Sequence, residues 1–289
     1  MNALAESWKA RGRRRSLCGR SIFTVDVPAT GPELRPPLLV LHGFPTSSFD
    51  FHRVVDRLAA DRRVLLFDML GYGLSDKPDI DYTLAVQADI AMALLDQLGV
   101  DRLGLLTHDV GDTVGGELLA RNLEGGWPVE ITDRTLTNGS IYMELAQLST
   151  GQRFLLDLPD ARLSDQGPVD AAAVVAGVVA TFSPAAVVDA AETAALGEMI
   201  AHFDGALLLP RLIRYIEERR RDEARFTGAV ERHPAPLSVV WGRDDPIAVI
   251  AMTDRLAQAA PGLHLRVLDG VGHYPMVEAP DRFVAALLA

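Results

Sequence analysis

The chain has 289 residues, 48% of them hydrophobic, enough for one large α/β domain with an inserted subdomain. A formal net charge of −11 argues against binding nucleic acid or an anionic membrane, either of which would repel it. Cys18 is the only cysteine, which excludes an internal disulfide and makes the cytoplasm the expected compartment.

From the N-terminus, Arg11, Arg13, Arg14 and Arg15 lack the following apolar stretch of a secretory signal and read as a solvated face beside the first strand. Residues 21–27 alternate as an early strand, in a hairpin turning near Gly19. Residues 37–41, 63–68 and 103–107 are continuous apolar runs, expected of strands covered on both faces. Residues 83–98 carry apolar side chains at helical spacing, with Thr83 as the cap. Strand alternating with helix implies a mostly parallel sheet flanked by helices, an α/β fold.

The sheet pattern stops near 135–138 and resumes only at 237–241. The stretch between reads as largely helical, with an alanine-rich middle at 170–196 and a charged segment at 215–223. An insertion of that size between two core strands is expected to be a lid, residues 141–232, over a core of 1–140 and 233–289. The apolar run 171–182 is too short to span a bilayer and is expected to be a helix packed inside the protein. A strand at 265–269 and a helix close the chain.

The most informative turn follows the strand at 103–107. His108-Asp109-Val110-Gly111 is a small turn between strand and helix, the sequence form of a nucleophile elbow, with Asp109 in the nucleophile position. A carboxylate is ionised at neutral pH and needs no base to activate it, so a base is free to activate water in a second step. That pattern points to an ester formed by attack on a saturated carbon. Asp245, after the strand ending at Trp241, and His273, in Gly270-Val271-Gly272-His273, complete the order nucleophile, acid, histidine. The spacing in Trp241-Gly242-Arg243-Asp244-Asp245 favours Asp245 over Asp244. His42-Gly43-Phe44-Pro45 is expected to aim the Phe44 N–H into the site beside that of Val110, forming an oxyanion hole. His42, His108 and Tyr142 are the expected pocket residues. No metal-ligand spacing and no dinucleotide fingerprint occurs, so no cofactor is expected.

On these motifs, with 68–78 added, the chain resembles the α/β-hydrolase superfamily in its aspartate-nucleophile branch of epoxide hydrolases and haloalkane dehalogenases. Within it the chain is similar to the mesoderm-specific transcript proteins. The resemblance implies an α/β-hydrolase fold with a helical cap domain. It also implies Tyr215 as the lid tyrosine that protonates an opening epoxide; no partner tyrosine is evident, and His202 is a weaker helper. Haloalkane dehalogenases hold the halide with donors where this chain has Phe44 and Val110, whose side chains cannot donate. The expected function is therefore epoxide hydrolysis to a diol. The alternatives are a haloalkane or haloacid dehalogenase on the same triad, or a binding protein without turnover. The lid's alanines and valines and the run 207–209 suggest a small apolar or amphipathic substrate. A homodimer is left open.

Overall fold

A computed structural model describes residues 1–164 and 170–288; residues 165–169 of the expected lid and Ala289 at the end of the expected last helix lie outside the described residues. An eight-stranded sheet runs in the spatial order β1-β2-β4-β3-β5-β6-β7-β8. The hairpin of β1 (Gly12–Leu17) and β2 (Arg20–Val27) turns at Cys18 and Gly19, whose φ angles are 48° and 72°. β2 pairs antiparallel with β4 (Val64–Phe67). The other pairings are parallel, among β3 (Leu38–Leu41), β4, β5 (Arg102–His108), β6 (Glu130–Thr137), β7 (Leu237–Gly242) and β8 (His264–Leu268). Every residue of β3 and β4 is buried, the physical reason their apolar runs have no polar alternation.

The chain leaves β3 outward to β4, then returns past β3 to β5 and continues in the opposite direction. Loops leaving the carboxyl ends of β3 and β5 therefore part at a crevice, where open α/β sheets bind their ligands. Thr83 caps helix Leu84–Gln97 by accepting from the Val86 N–H at 3.2 Å. A helix at Ala3–Arg11 lacks an apolar stripe in the sequence: only Ala5 and Trp8 are buried, and the Trp8 indole reaches Ser48 Oγ at 3.3 Å.

Between β6 and β7 the described residues form helices and loops only. Two expectations about this insertion need correction. Helix Ala171–Val179 does not lie inside the protein: only Val178 is buried, because the opposite side faces solvent. Helix Glu223–Arg232, expected in the lid, packs on the core helix Val110–Leu123 instead. A Cβ on Gly116 would meet the Phe226 carbonyl at 2.8 Å, and Arg225 bridges Glu117 and Glu124, each at 2.6 Å. No described helix is long and apolar enough to cross a membrane.

Candidate active site

The elbow is a strained turn packed between two glycine-lined loops. Asp109 has φ 51° and ψ −114°, a conformation costing about 1–3 kcal/mol for a residue with a side chain, and it lifts the carboxylate above the strand ends. Gly111 starts the helix so close to β3 that a Cβ would stand 2.6 Å from the Leu41 carbonyl. Gly43 does the same from the other loop, 2.7 Å from His108 Nδ1 and 3.0 Å from the Asp109 Cβ. The glycines of both motifs are therefore steric requirements of one contact. That contact lets the Phe44 N–H donate to Asp109 Oδ2 at 2.8 Å. Val110 opens the helix, so its N–H has no acceptor within it.

The acid and the histidine meet by the same device. A Cβ on Gly242 would lie 2.0 Å from the Gly272 carbonyl, so the loops after β7 and β8 touch through paired glycines. His273 Nδ1–H donates to Asp245 Oδ2 at 2.7 Å, which leaves Nε2 to the site. Asp245 is itself fixed: Oδ1 accepts from the Ile247 and Ala248 N–H groups at 2.7 and 3.0 Å, and Oδ2 accepts from Asn138 Nδ2 at 2.7 Å. Asp244 points elsewhere and accepts from Ser183 Oγ at 2.8 Å. Burial alone would depress the His273 imidazolium, but Asp245, its hydrogen bond, Asp109 and Glu278 outweigh it and raise the pKa to about 9. The surrounding acids thus favour the protonated imidazole.

Of the expected pocket residues, none lines the cavity at the site. His42 braces the loop: its Nε2 accepts from the Met69 N–H at 2.9 Å, which leaves Nδ1–H to donate to the Gly43 carbonyl. His108 donates from Nε2 to the His273 carbonyl at 2.8 Å, and burial, with His273 beside it, lowers its pKa to about 4. Tyr142 lies at the base of the insertion, its hydroxyl on Glu231 at 2.8 Å and the Arg255 guanidinium 4.4 Å from its ring. His202 packs on Phe203. Tyr215 is not among the residues lining that cavity either, but it stands behind Phe44, which is. It is buried with its ring 5.7 Å from that of Phe44, and burial first, then the charge of Asp109, raises its pKa, so its phenol keeps its proton.

The cavity reaching His273 has a volume of about 170 Å³. Its walls are apolar, among them Phe44, Leu155, Val174, Val178 and Ile247, from the helices Thr150–Asp157 and Ala171–Val179 between β6 and β7 and from the strand-end loops. Ser149 and Gln152 also face it, but they satisfy one another as a capping box. Leu208 and Leu209 are buried in packing and do not line it. Two residues that shape the site escaped the sequence. Tyr274 lines the cavity with its ring 5.1 Å from His273 and its hydroxyl donating to the Phe44 carbonyl at 3.1 Å. Asn138, with φ 48°, ties Asp245 to the Gly242 N–H. Their only signals were adjacency to His273 and to the end of β6. Among the described residues no group of three or more His, Cys, Asp or Glu side chains could hold a metal ion.

A mostly parallel sheet carries, at its strand ends, a carboxylate held by a backbone N–H and a hydrogen-bonded histidine–acid pair. The chain belongs to the alpha/beta hydrolase family, whose model matches residues 38–286. Hydrolase LipZ of Mycobacterium tuberculosis is 37% identical over 288 residues, covering 98% of this chain and 96% of LipZ. The mesoderm-specific transcript homolog protein of Bos taurus is 32% identical over 293 residues, covering 98% of this chain and 86% of its own length. A solved alpha/beta hydrolase fold protein from Burkholderia ambifaria superimposes with a TM-score of 0.74 at 26% identity, covering 96% of each chain.

Proposed function

We propose that the chain opens epoxides to diols through a covalent ester on Asp109. The observation that carries this reading is the Asp109 carboxylate itself, at the start of the helix after β5 and held at 2.8 Å by the N–H of Phe44, which with His273 lines the apolar cavity. The carboxylate attacks an epoxide carbon, the C–O bond breaks, and Tyr215 gives its proton to the departing oxygen. Esterification removes the negative charge of Asp109, one of the causes that hold the proton on His273. The imidazolium then restores the Tyr215 phenol through water and becomes a neutral base. His273, oriented by Asp245, takes a proton from water, and the hydroxide adds to the ester carbonyl. The Phe44 and Val110 N–H groups hold the resulting oxyanion. Collapse releases the diol with the His273 proton, and the acid left on Asp109 returns a proton to the imidazole.

Halide departure is less well served. The Phe44 and Val110 side chains cannot donate, and the indoles of Trp8 and Trp241 are bound to Ser48 Oγ and the Ala248 carbonyl. The test is His273→Gln with a panel of apolar epoxides and chloroalkanes, read by intact-protein mass. An adduct of the epoxide's mass on Asp109 is expected. Halide release from chloroalkanes without any epoxide adduct would sink the epoxide reading, and absence of every adduct would favour a binding protein.

A further inference from the structure

Behind the oxyanion hole lies a set of buried polar groups that the reaction above does not use. The peptide presenting its N–H to Asp109 has the Gly43 carbonyl at its other end. That oxygen lies 2.9 Å from His42 Nδ1 and 3.2 Å from Thr46 Oγ1. Thr46 Oγ1 is also 2.5 Å from Asp50 Oδ2. Thr46 and Asp50 are 1% and 3% exposed. A hydroxyl has a single proton and cannot donate to both oxygens. An ionised Asp50 would claim that proton and leave Gly43 with His42 alone. A neutral Asp50 instead donates to Thr46, whose own proton then turns to the Gly43 carbonyl.

The surroundings favour the neutral acid. Burial is the first cause that pushes Asp50 well above the usual carboxyl range, and the charges of Asp68 and Asp109 add to it; the Thr46 hydrogen bond and His273 act the other way. Tyr274 also faces Asp50 and its hydroxyl, which donates to the Phe44 carbonyl at 3.1 Å, is a second acceptor within reach of Thr46; the small cavity that Asp50 lines carries His52 and Glu192. We propose that Asp50 and Thr46 are positioning residues that orient and polarise the oxyanion-hole peptide. The relay runs from Asp50 Oδ2–H to Thr46 Oγ1–H to the Gly43 carbonyl, with the Phe44 N–H to Asp109 bond at its far end. Donors on a carbonyl strengthen the N–H of the same peptide, because hydrogen bonds in a chain polarise one another. The proposal rests on Asp109 as the nucleophile only for its effect on rate; its effect on the Phe44 N–H needs no substrate.

The experiment is therefore run twice on the full chain, without and with substrate. In ¹⁵N-labelled protein, Thr46→Val and Asp50→Leu are expected to move the Phe44 amide proton upfield. Thr46→Ser and Asp50→Asn, which keep a donor at each step, are expected to recover most of the wild-type position. The infrared carbonyl stretch of a protonated carboxyl is expected at pH 7 and lost in Asp50→Asn. With substrate, Thr46→Val is expected to slow ester hydrolysis about two- to fivefold, the effect of losing roughly 10–30% of an oxyanion-hole donor. An unmoved Phe44 amide proton in Thr46→Val, or an ionised Asp50 at pH 7, overturns the relay. A moved amide proton in a protein that forms no ester upholds the relay and removes the epoxide reading alone.

Discussion

The strand-end loops and the helical cover face the same cavity, yet different physics fixes each. On the sheet side the site is held by backbone: Gly43 against Asp109, Gly111 against Leu41, and Gly242 against Gly272 leave no room for a Cβ. Every functional side chain there has an assigned hydrogen-bond partner, from the Phe44 N–H to the four bonds on Asp245. On the cover side the cavity is shaped by apolar side chains that make few directional contacts, and a Cβ added at Gly177 would meet nothing within 4 Å. The difference divides the labour. On the proposed reaction, the sheet side would prepare the charge that reacts, where a misplaced donor is costly, and the cover would select what reaches it.

The sharpest break of that division is Tyr215, a cover residue assigned a chemical role. Tyr215→Phe is expected to slow epoxide opening by roughly a hundredfold with ester hydrolysis unaffected, since the proton it gives matters only in the first step. Single-turnover kinetics separate the two steps, and equal slowing of both would reduce Tyr215 to packing against Phe44. Next in size is Gly177→Leu, which fills open space in a helix and replaces a residue costing about 1 kcal/mol there. KM for bulky epoxides is expected to rise about tenfold, with unchanged kcat for the smallest and no loss of Tm. Loss of kcat for every substrate would mean that the cover does more than select.

The smallest effect is on the sheet side and is read by titration. NMR of His273 is expected to show a pKa of about 9 in the resting protein. In Asp109→Asn it is expected lower, because one nearby carboxylate is gone. A pKa raised in the folded state stabilises the fold fully below the unfolded value of about 6.5, and that contribution is lost as pH rises through about 9. Unfolding midpoints in denaturant are thus expected to decline between those limits, and less so in His273→Gln. A midpoint that climbs over that range contradicts the ion pair.

The legibility of the chain followed the same division. β3, β4 and β5 announced themselves as unbroken apolar runs because both faces of the sheet are covered. Asp109, Asp245 and His273 could be picked from their strand-end turns, since the glycines around them are demanded by local crowding. Helix Ala3–Arg11 was silent because so little of it is buried, and helix Ala171–Val179 misled because an apolar sequence can line a cavity as well as fill a core.

What the amino-acid order determined by itself was periodicity and turn chemistry: the sheet, its helices, and a carboxylate at an elbow. Only the tertiary structure decided which polar groups touch. It tied Asn138 to Asp245, set Tyr274 on the Phe44 carbonyl, turned His42 and Tyr142 away from the cavity, and placed Thr46 and Asp50 behind the peptide that holds Asp109. The physical reason is the mark each leaves on the sequence. Helix and strand periodicity and the small residues of tight turns leave a pattern along the chain even where the contact they serve is distant, whereas a hydrogen bond between residues 138 and 245 leaves no trace in either neighbourhood until the strands are paired.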